Sequence, residues 1–290
     1  MKLIGKRTRR GRSSNFLRLT SIVLLIWFLT FRLARAEDRL FLVLYAFEAE
    51  GQLLAGQMEA GENRTILGRP VSIGRLAGEK IVLAESGIGM TNAAMTAQRL
   101  IDEFKPGGVI FSGIAGAIDT SVLIGDIVIC RSWATHDYVY HGADGPQPRE
   151  IGVYSISADS VIRLAAFPVD SAMFQTARDL PPASIQLEKI GQREPRILLG
   201  GEGVSGNAFI DNREKRIWLR ERFGAMITDM ETAAVAQVCY VNNIPFIGFR
   251  SASDLAGGSG SSSADAELER FFAVAAANSS KVVMRFLEIY

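Results

Sequence analysis

The sequence predicts a single α/β domain, a largely parallel sheet flanked by helices, and three observations carry that reading. Short apolar runs of strand length alternate with helix-length segments from Leu40 to the C-terminus, the pattern of βαβ construction. Runs such as 40–47 (LFLVLYAF) and 246–249 are apolar without alternation, as strands buried on both faces require. Glycine or acidic residues follow these runs, at Glu48, Gly113 and Asp254, which puts loops rich in chemistry at strand ends.

Residues 40–47 form the first strand, and Glu48 and Glu50 lie where it ends, ahead of a helix from about Gln52. Gly61, Gly68 and Pro70 punctuate a hairpin-like region. The run 80–84 is a further strand, and it enters Glu85-Ser86-Gly87-Ile88-Gly89-Met90 before a helix over 91–104. Strand, glycine turn and helix together suit a phosphate or ribose cradle, and a plain tight turn explains them equally. The strand 109–112 gives way to Gly113-Ile114-Ala115-Gly116-Ala117, small enough for close approach of a ligand or a helix. Ile124-Gly125-Asp126 turns into a strand at 127–130, then a polar-aromatic loop over 133–145. Prolines, among them Pro146, Pro148, Pro181, Pro182 and Pro195, make 146–197 irregular, read as helices and loops. The strand 197–199 leads to Gly203 and on to Phe209 and Ile210, and Asp211 caps a helix to about Phe223. Asp229 is the N-cap of the next helix, with Met230 and Glu231 in its first turn, where a carboxylate meets the positive end of the helix dipole. Asn242, Asn243 and Pro245 end that helix. The strand 246–249 then opens into Arg250-Ser251-Ala252-Ser253-Asp254 and the glycines at 257, 258 and 260. A helix over 264–288 closes the chain and packs through Leu268, Phe271, Phe272, Val274 and Ala275.

Charge is segregated along the 290 residues. Residues 1–36 carry nine Lys and Arg and no acid, which leaves 23 of the 32 basic residues against 31 acidic ones, a net of −8. An acidic body without a basic stripe argues against nucleic-acid binding. The basic start, a 13-residue apolar run between Arg18 and Arg32, and Ala34-Arg35-Ala36 match a secretory signal peptide. Cleavage after Ala36 divides the chain into a leader, 1–36, and one domain, 37–290. The expected location is periplasmic or secreted, without stable membrane contact. The alternative is an anchor retained through 19–31, although that run is short of the ~20 residues of a spanning helix. Cys130 and Cys239 sit in apolar segments and read as buried free thiols. The two histidines, His136 and His141, form no metal-spaced cluster, so neither a metal nor a cofactor is expected.

Glu231 and Asp254 stand where ligands bind in open α/β sheets, at the carboxyl ends of strands, and can face one pocket. Spacing alone is equally satisfied by dipole compensation at Glu231 and a turn at Asp254.

Nine short motifs resemble, in order, those of the nucleoside phosphorylase and nucleosidase superfamily. They are AFEAE at 46–50, SGIGMTNAA at 86–94, SGIAGA at 112–117, IGDIVI at 124–129, HD at 136–137, SGNAFI at 205–210, DMETAAVAQVC at 229–239, RSASD at 250–254 and FFAVAAANSS at 271–280. The nearest likeness is to bacterial 5′-methylthioadenosine/S-adenosylhomocysteine nucleosidases, and it covers the chain from Leu40 onward except the irregular 140–195 stretch. The resemblance implies a three-layer sandwich around a twisted mixed, largely parallel sheet, a homodimer, and hydrolysis of a purine nucleoside to the free base. It also implies roles. Asp254, held by Ser253, is the acid for base departure and Glu50 the general base for water, with Glu48 the local alternative. Glu231 grips the ribose hydroxyls and Met230 packs beneath the sugar. Phe209 stacks on the purine, the Ile210 backbone reads its edge, and Gly116 lets the chain pass close to the base.

Two other functions fit the same resemblance. A phosphorylase would need Arg and hydroxyl groups about Gly113 to hold phosphate, where this chain has Phe111 and Ile114. A non-catalytic nucleoside-binding or storage protein would need neither Glu50 nor Asp254.

Overall fold

In the computed structural model, which describes residues 39–290 except 157, 259 and 261, the first apolar run forms β1 (Leu40–Tyr45). The leader expected over 1–36, and the anchor alternative within it, lie outside the described residues. Three strands follow, β2 (Glu59–Ile66), β3 (Arg69–Leu76) and β4 (Glu79–Glu85), antiparallel from one to the next. Next come β5 (Gly108–Ala117), β6 (Ile127–Ile129), β7 (Ser132–Thr135), β8 (Val139–Gly142) and β9 (Gly145–Pro148). The hairpin β10 (Ile151–Ser155) and β11 (Ser160–Leu164) precedes β12 (Phe167–Pro168). Last are β13 (Ile197–Leu199), β14 (Glu202–Ser205), β15 (Ala225–Asp229) and β16 (Phe246–Asp254).

Twelve of these strands join one mixed sheet in the order β12-β7-β14-β15-β5-β1-β4-β3-β2, with β16 on β5 and β6, and β13 on β6. Its centre is parallel: β1 with β4 and β5, and β5 with β16. Antiparallel pairing enters at the β2–β3–β4 edge and at the β15–β5 and β16–β6 junctions.

The central strands feed two cores by alternation. Leu42 and Leu44 of β1 pack with Ala93, Ala97 and Leu100 of the helix Met90–Phe104 and with Ala233, Val235 and Ala236 of the helix Thr232–Val241. Phe41, Val43 and Tyr45 face the other way, toward Leu54 of the helix Glu48–Gln57 and Val282, Val283 and Phe286 of the helix Ala264–Ile289. Helix, sheet and helix give the three layers expected. No helix among the described residues is long and apolar enough to cross a membrane. Cys130 and Cys239 are buried and free.

Several local expectations are corrected. The strand at 246–249 runs on to Asp254 with every residue buried, and β5 extends to Ala117. The two pair in parallel along most of their length, and small residues at Gly113, Ala115, Gly116, Ser251 and Ala252 let polar groups ride into the interior on that ladder. The loop read at 133–145 contains β7, β8 and the start of β9, and the stretch read as helices and loops carries the β10–β11 hairpin and short strands as far as Pro168, then one helix at Ser171–Arg178, a 3₁₀ turn and irregular chain up to β13. Asn212, not Asp211, caps the helix Arg213–Phe223, by accepting from the Lys215 amide at 2.8 Å. Asp211 instead accepts from the Ala264 amide at 2.9 Å, at the start of the C-terminal helix. That helix buries Ala275, Ala276, Ser279, Val282, Val283 and Phe286, one turn and more beyond the face read from the sequence. Leu268, Phe271, Phe272 and Val274 are only half-buried.

The irregular segment before β13 is tied down by polar groups. Asp126, fully buried, takes Arg193 at 2.6 Å, and both the guanidinium (2.6 Å) and amide (3.0 Å) of Arg196. Burial pushes its carboxyl up, but the Arg196, Arg193 and Leu123 bonds outweigh that and hold it below the ordinary aspartate range. Asn278 exchanges hydrogen bonds with the Glu188 backbone.

Candidate active site

A pocket of about 250 Å3 opens where β5, β15 and β16 end and the chain turns into the helices at Glu48 and Thr232. Its walls include Glu50, Gly116, Phe209, Met230, Glu231, Ser253 and Asp254. Ile210 borders a small recess continuous with these residues. All eight residues singled out from the sequence therefore meet at one place.

Glu50 reaches it because the first helix begins at Glu48, four residues earlier than expected. That turn sets Glu48 at the surface and Glu50 at 1% exposure, so of the two acids only Glu50 lines the pocket. Its carboxylate accepts from the Ala46 amide at 2.6 Å and the Ile114 amide at 2.8 Å. Burial raises its pKa, against the opposing pull of Arg250 and of those two amides.

Glu231 was expected in a helix's first turn. The helix starts at Thr232, and Glu231 has φ −142° and ψ −43° outside it. Asp229 ends β15, and its carboxylate accepts from the Glu231 and Thr232 amides at 3.1 Å, as a cap would. Glu231 is thus free to turn away and accept from the Gly89 amide at 2.8 Å. That bond and the one from the Met230 amide to Glu231 at 3.3 Å orient the carboxylate. The Met90 amide is taken by Asn207. The Gly89 and Met90 amides, at the turn suggested as a phosphate or ribose cradle, are thus occupied by side chains of this chain, the Glu231 carboxylate and Asn207. Burial and the neighbouring Asp229 charge push Glu231 up to about 7, with Arg250 and the Gly89 amide opposing.

Asp254 closes β16. Its Oδ1 accepts from the Ala256 amide at 2.8 Å and its Oδ2 from the Ser253 hydroxyl at 2.9 Å. A Cβ on Gly116 would lie 2.8 Å from Oδ1, so only glycine lets the carboxyl sit over β5. Burial pushes Asp254 up to about 6 in spite of these two bonds.

Arg250 was not singled out from the sequence, and it organises the end of the site around Glu50 and Glu231. It is fully buried, with Nε 2.9 Å from Asp229 Oδ2 and its two terminal nitrogens 3.6 Å from Glu50 and 3.9 Å from Glu231. The guanidinium lies 4.2 Å from the Phe111 ring centroid. A Cβ on Gly113 would fall 2.1 Å from Arg250 Nη1 and 2.5 Å from Glu50 Oε1, so glycine is required there too. Asp229 is held in turn by the hydroxyls of Ser205 and Thr232. The signal available in the sequence was an Arg placed directly after the apolar run 246–249, since buried charges are paired when they occur.

One cation among three carboxylates, two of them raised, is an arrangement for holding a proton near neutral pH. Among the described residues no group of His, Cys, Asp or Glu is placed to hold a metal ion.

The phosphorylase superfamily model matches residues 41–288. The chain belongs to the phosphorylase superfamily. Among superfamily relatives, the 5′-methylthioadenosine/S-adenosylhomocysteine nucleosidase of Bacillus thuringiensis subsp. konkukian is 31% identical over 255 residues, 85% of this chain and 97% of the relative. The Neisseria meningitidis nucleosidase of the same name, solved with methylthio-immucillin-A, is 31% identical at a TM-score of 0.70, covering 86% of this chain and 99% of that one. The Colwellia psychrerythraea 34H nucleosidase, solved with adenine, is 27% identical at 0.70, over 87% and 96% of the two chains. Futalosine hydrolase of Helicobacter pylori shares the fold at a TM-score of 0.71 and 23% identity, over 86% and 97%.

Proposed function

We propose that this chain hydrolyses the N-ribosidic bond of a purine nucleoside, of the 5′-methylthioadenosine or S-adenosylhomocysteine type that its relatives are named for, and releases the free base. The observation that carries this is the pair of buried acids at opposite tasks. Asp254, pushed up to about 6, retains a proton to give, and Glu50, fixed by two amides, has lone pairs directed into the same pocket.

Cleavage builds positive charge on the ribose and negative charge on the base. Asp254, held by Ser253, protonates the departing purine at N7, which general acid catalysis requires of a carboxyl kept neutral by burial. Glu50 takes the proton of the attacking water. Glu231 accepts from the ribose hydroxyls, with Met230 beneath the sugar. Phe209, 46% exposed at the mouth, stacks on the base, and the Ile210 backbone reads its edge across Gly116.

Water rather than phosphate is the nucleophile in this reading, because no Lys or Arg lines the pocket among the described residues and Arg250 is already matched by carboxylates. Phe111 and Ile114 offer no side-chain donor beside Gly113. Arg64 and Arg69, the cations that a partner subunit's pocket would borrow, pair with Glu62 and Glu85 of their own chain, and Arg75 donates to the Gly78 carbonyl. Incubation with methylthioadenosine should give free methylthioribose at a rate indifferent to phosphate. A sugar 1-phosphate formed only with phosphate present would replace this reading by a phosphorylase.

Export and pairing complete the proposal. The basic leader supports cleavage after Ala36, and the exposed Tyr138 (49%) and Tyr140 (53%) support a homodimer through that segment. Protein recovered from the cell envelope or medium should begin at Glu37 and sediment as two chains at micromolar concentration. A cytoplasmic chain beginning at Met1 would overturn the first part, and a fully active monomer the second.

A further inference from the structure

The recess at the base end of the pocket holds a hydroxyl to which no role has been given. Thr228 is 5% exposed, and its Oγ1 is enclosed without a hydrogen-bond partner among the described residues. The other polar side chains beside it are engaged. Asp254 accepts from Ala256 and Ser253, and Asp229 from Ser205 and Thr232. An orphaned buried hydroxyl is costly, and it is tolerated where a ligand supplies the missing partner.

The surroundings say which part of a ligand that is. Thr228 lies directly opposite Gly116 in the antiparallel β15–β5 pair, so the two share a face of the sheet. Asp254 Oδ1 occupies the space above Gly116, where a Cβ would be 2.8 Å away. Thr228 and the Asp254 carboxyl therefore border one gap over Gly116. A recess of about 30 Å3 fills that gap, bordered by Gly116, Ile210, Thr228 and Asp254. A cavity of roughly 10–15 Å3 already accommodates one water, so the recess suits a single exocyclic atom.

On a purine, N7 and the substituent at C6 project side by side from the same edge. If Asp254 meets N7, as in the function proposed above on which this inference rests, the group that enters the recess is the one at C6. An amino group there needs an acceptor and an oxo group needs a donor. A threonine hydroxyl supplies either, whereas an apolar residue supplies neither.

We propose that Thr228 is a specificity residue that pairs with the C6 substituent, and that it extends the accepted substrates to 6-oxopurine nucleosides. The Asp254 proton is committed to N7. A 6-oxo group would then face the second carboxyl oxygen without a donor unless Thr228 turns its O–H to it.

Adenosine and inosine share their ribose and differ at C6 and N1, so their ratio reads this contact. The wild type is expected to cleave both. Thr228→Val keeps the shape and removes the hydroxyl, and it should lower kcat/KM for inosine relative to adenosine by about 10–100-fold. Thr228→Ser should restore the ratio. The melting temperature of Thr228→Val should not fall, because a hydroxyl without a partner is removed. An unchanged ratio in the valine variant, or a wild type active on adenosine and inert on inosine, would overturn the assignment. Calorimetric binding of hypoxanthine and adenine gives a readout independent of turnover. Selective loss of hypoxanthine binding in Thr228→Val would uphold Thr228 even if neither nucleoside were cleaved, a result that would overturn the hydrolase reading alone. Equal binding of the two bases by both proteins would overturn Thr228 alone.

Discussion

Asp254→Asn is expected to slow purine release by about 10²–10⁴-fold, the usual contribution of a positioned general acid, while nucleoside still binds. The substitution keeps the shape and both neighbours. The Ala256 amide still has an oxygen to meet, and the Ser253 hydroxyl can accept from the new amide. Only the proton is lost.

The pH profile gives the same argument a second reading. An acid with a pKa of about 6 is protonated below that value and ionised above it, so kcat/KM for the free enzyme should decline as pH rises through about 6. Asp254→Asn should abolish that decline along with most of the rate. The substitution affects stability in the opposite sense from activity. A carboxyl raised from 3.8 to about 6 binds its proton more tightly folded than unfolded, so wild-type stability falls as pH rises from about 4 to about 6. The cost above that window is about 3 kcal/mol at most. Asparagine does not ionise, and the variant's melting temperature at pH 8 should therefore match or exceed that of the wild type. Near-normal turnover in Asp254→Asn would remove Asp254 from the mechanism. Loss of turnover together with a collapsed melting temperature would mean a structural role instead.

What was legible in advance depended on whether a residue's environment was local. The first strand, the hairpin, the helix Met90–Phe104 and the C-terminal helix follow from runs long enough to show their period. The short strands β7, β8, β14 and β15 did not show, because four or five residues with Thr, Ser, Gly or Asp among them carry no periodicity to read. They fold as strands because a neighbour in the sheet supplies their hydrogen bonds. Missing β15 misplaced Glu231, which is aimed by Asp229 two residues before it and by Gly89 far along the chain. The choice between Glu48 and Glu50 turned on where the first helix began, a boundary that local residues define poorly. Gly113 and Gly116 were identified as sites of close approach, but what approaches them, Arg250 with Glu50 and Asp254, comes from remote segments.

The second large effect belongs to Arg250, and it should appear first in stability. Arg250→Met approximates the length of the side chain and its contact with Phe111, but it leaves Glu50, Asp229 and Glu231 together in the interior with no cation. Removing one partner from a buried charge cluster typically costs about 3–5 kcal/mol, because the remaining charges cannot recover their hydration. The loss should depend on pH in a stated direction. Glu50 and Glu231 are already raised by burial, and Arg250 is the charge that opposes the rise in both. Without it, both hold their protons to higher pH when folded, while unfolded glutamates ionise near 4–5. The variant's deficit should therefore be smallest below pH 4 and widen through neutrality, since the folded state binds the extra protons. Turnover should drop as well, because a protonated Glu50 cannot accept a proton from water. Chemical denaturation of both proteins at pH 4 and pH 8 measures the difference. A deficit equal at the two values would show that Arg250 acts through packing on Phe111 rather than by compensating the three carboxylates.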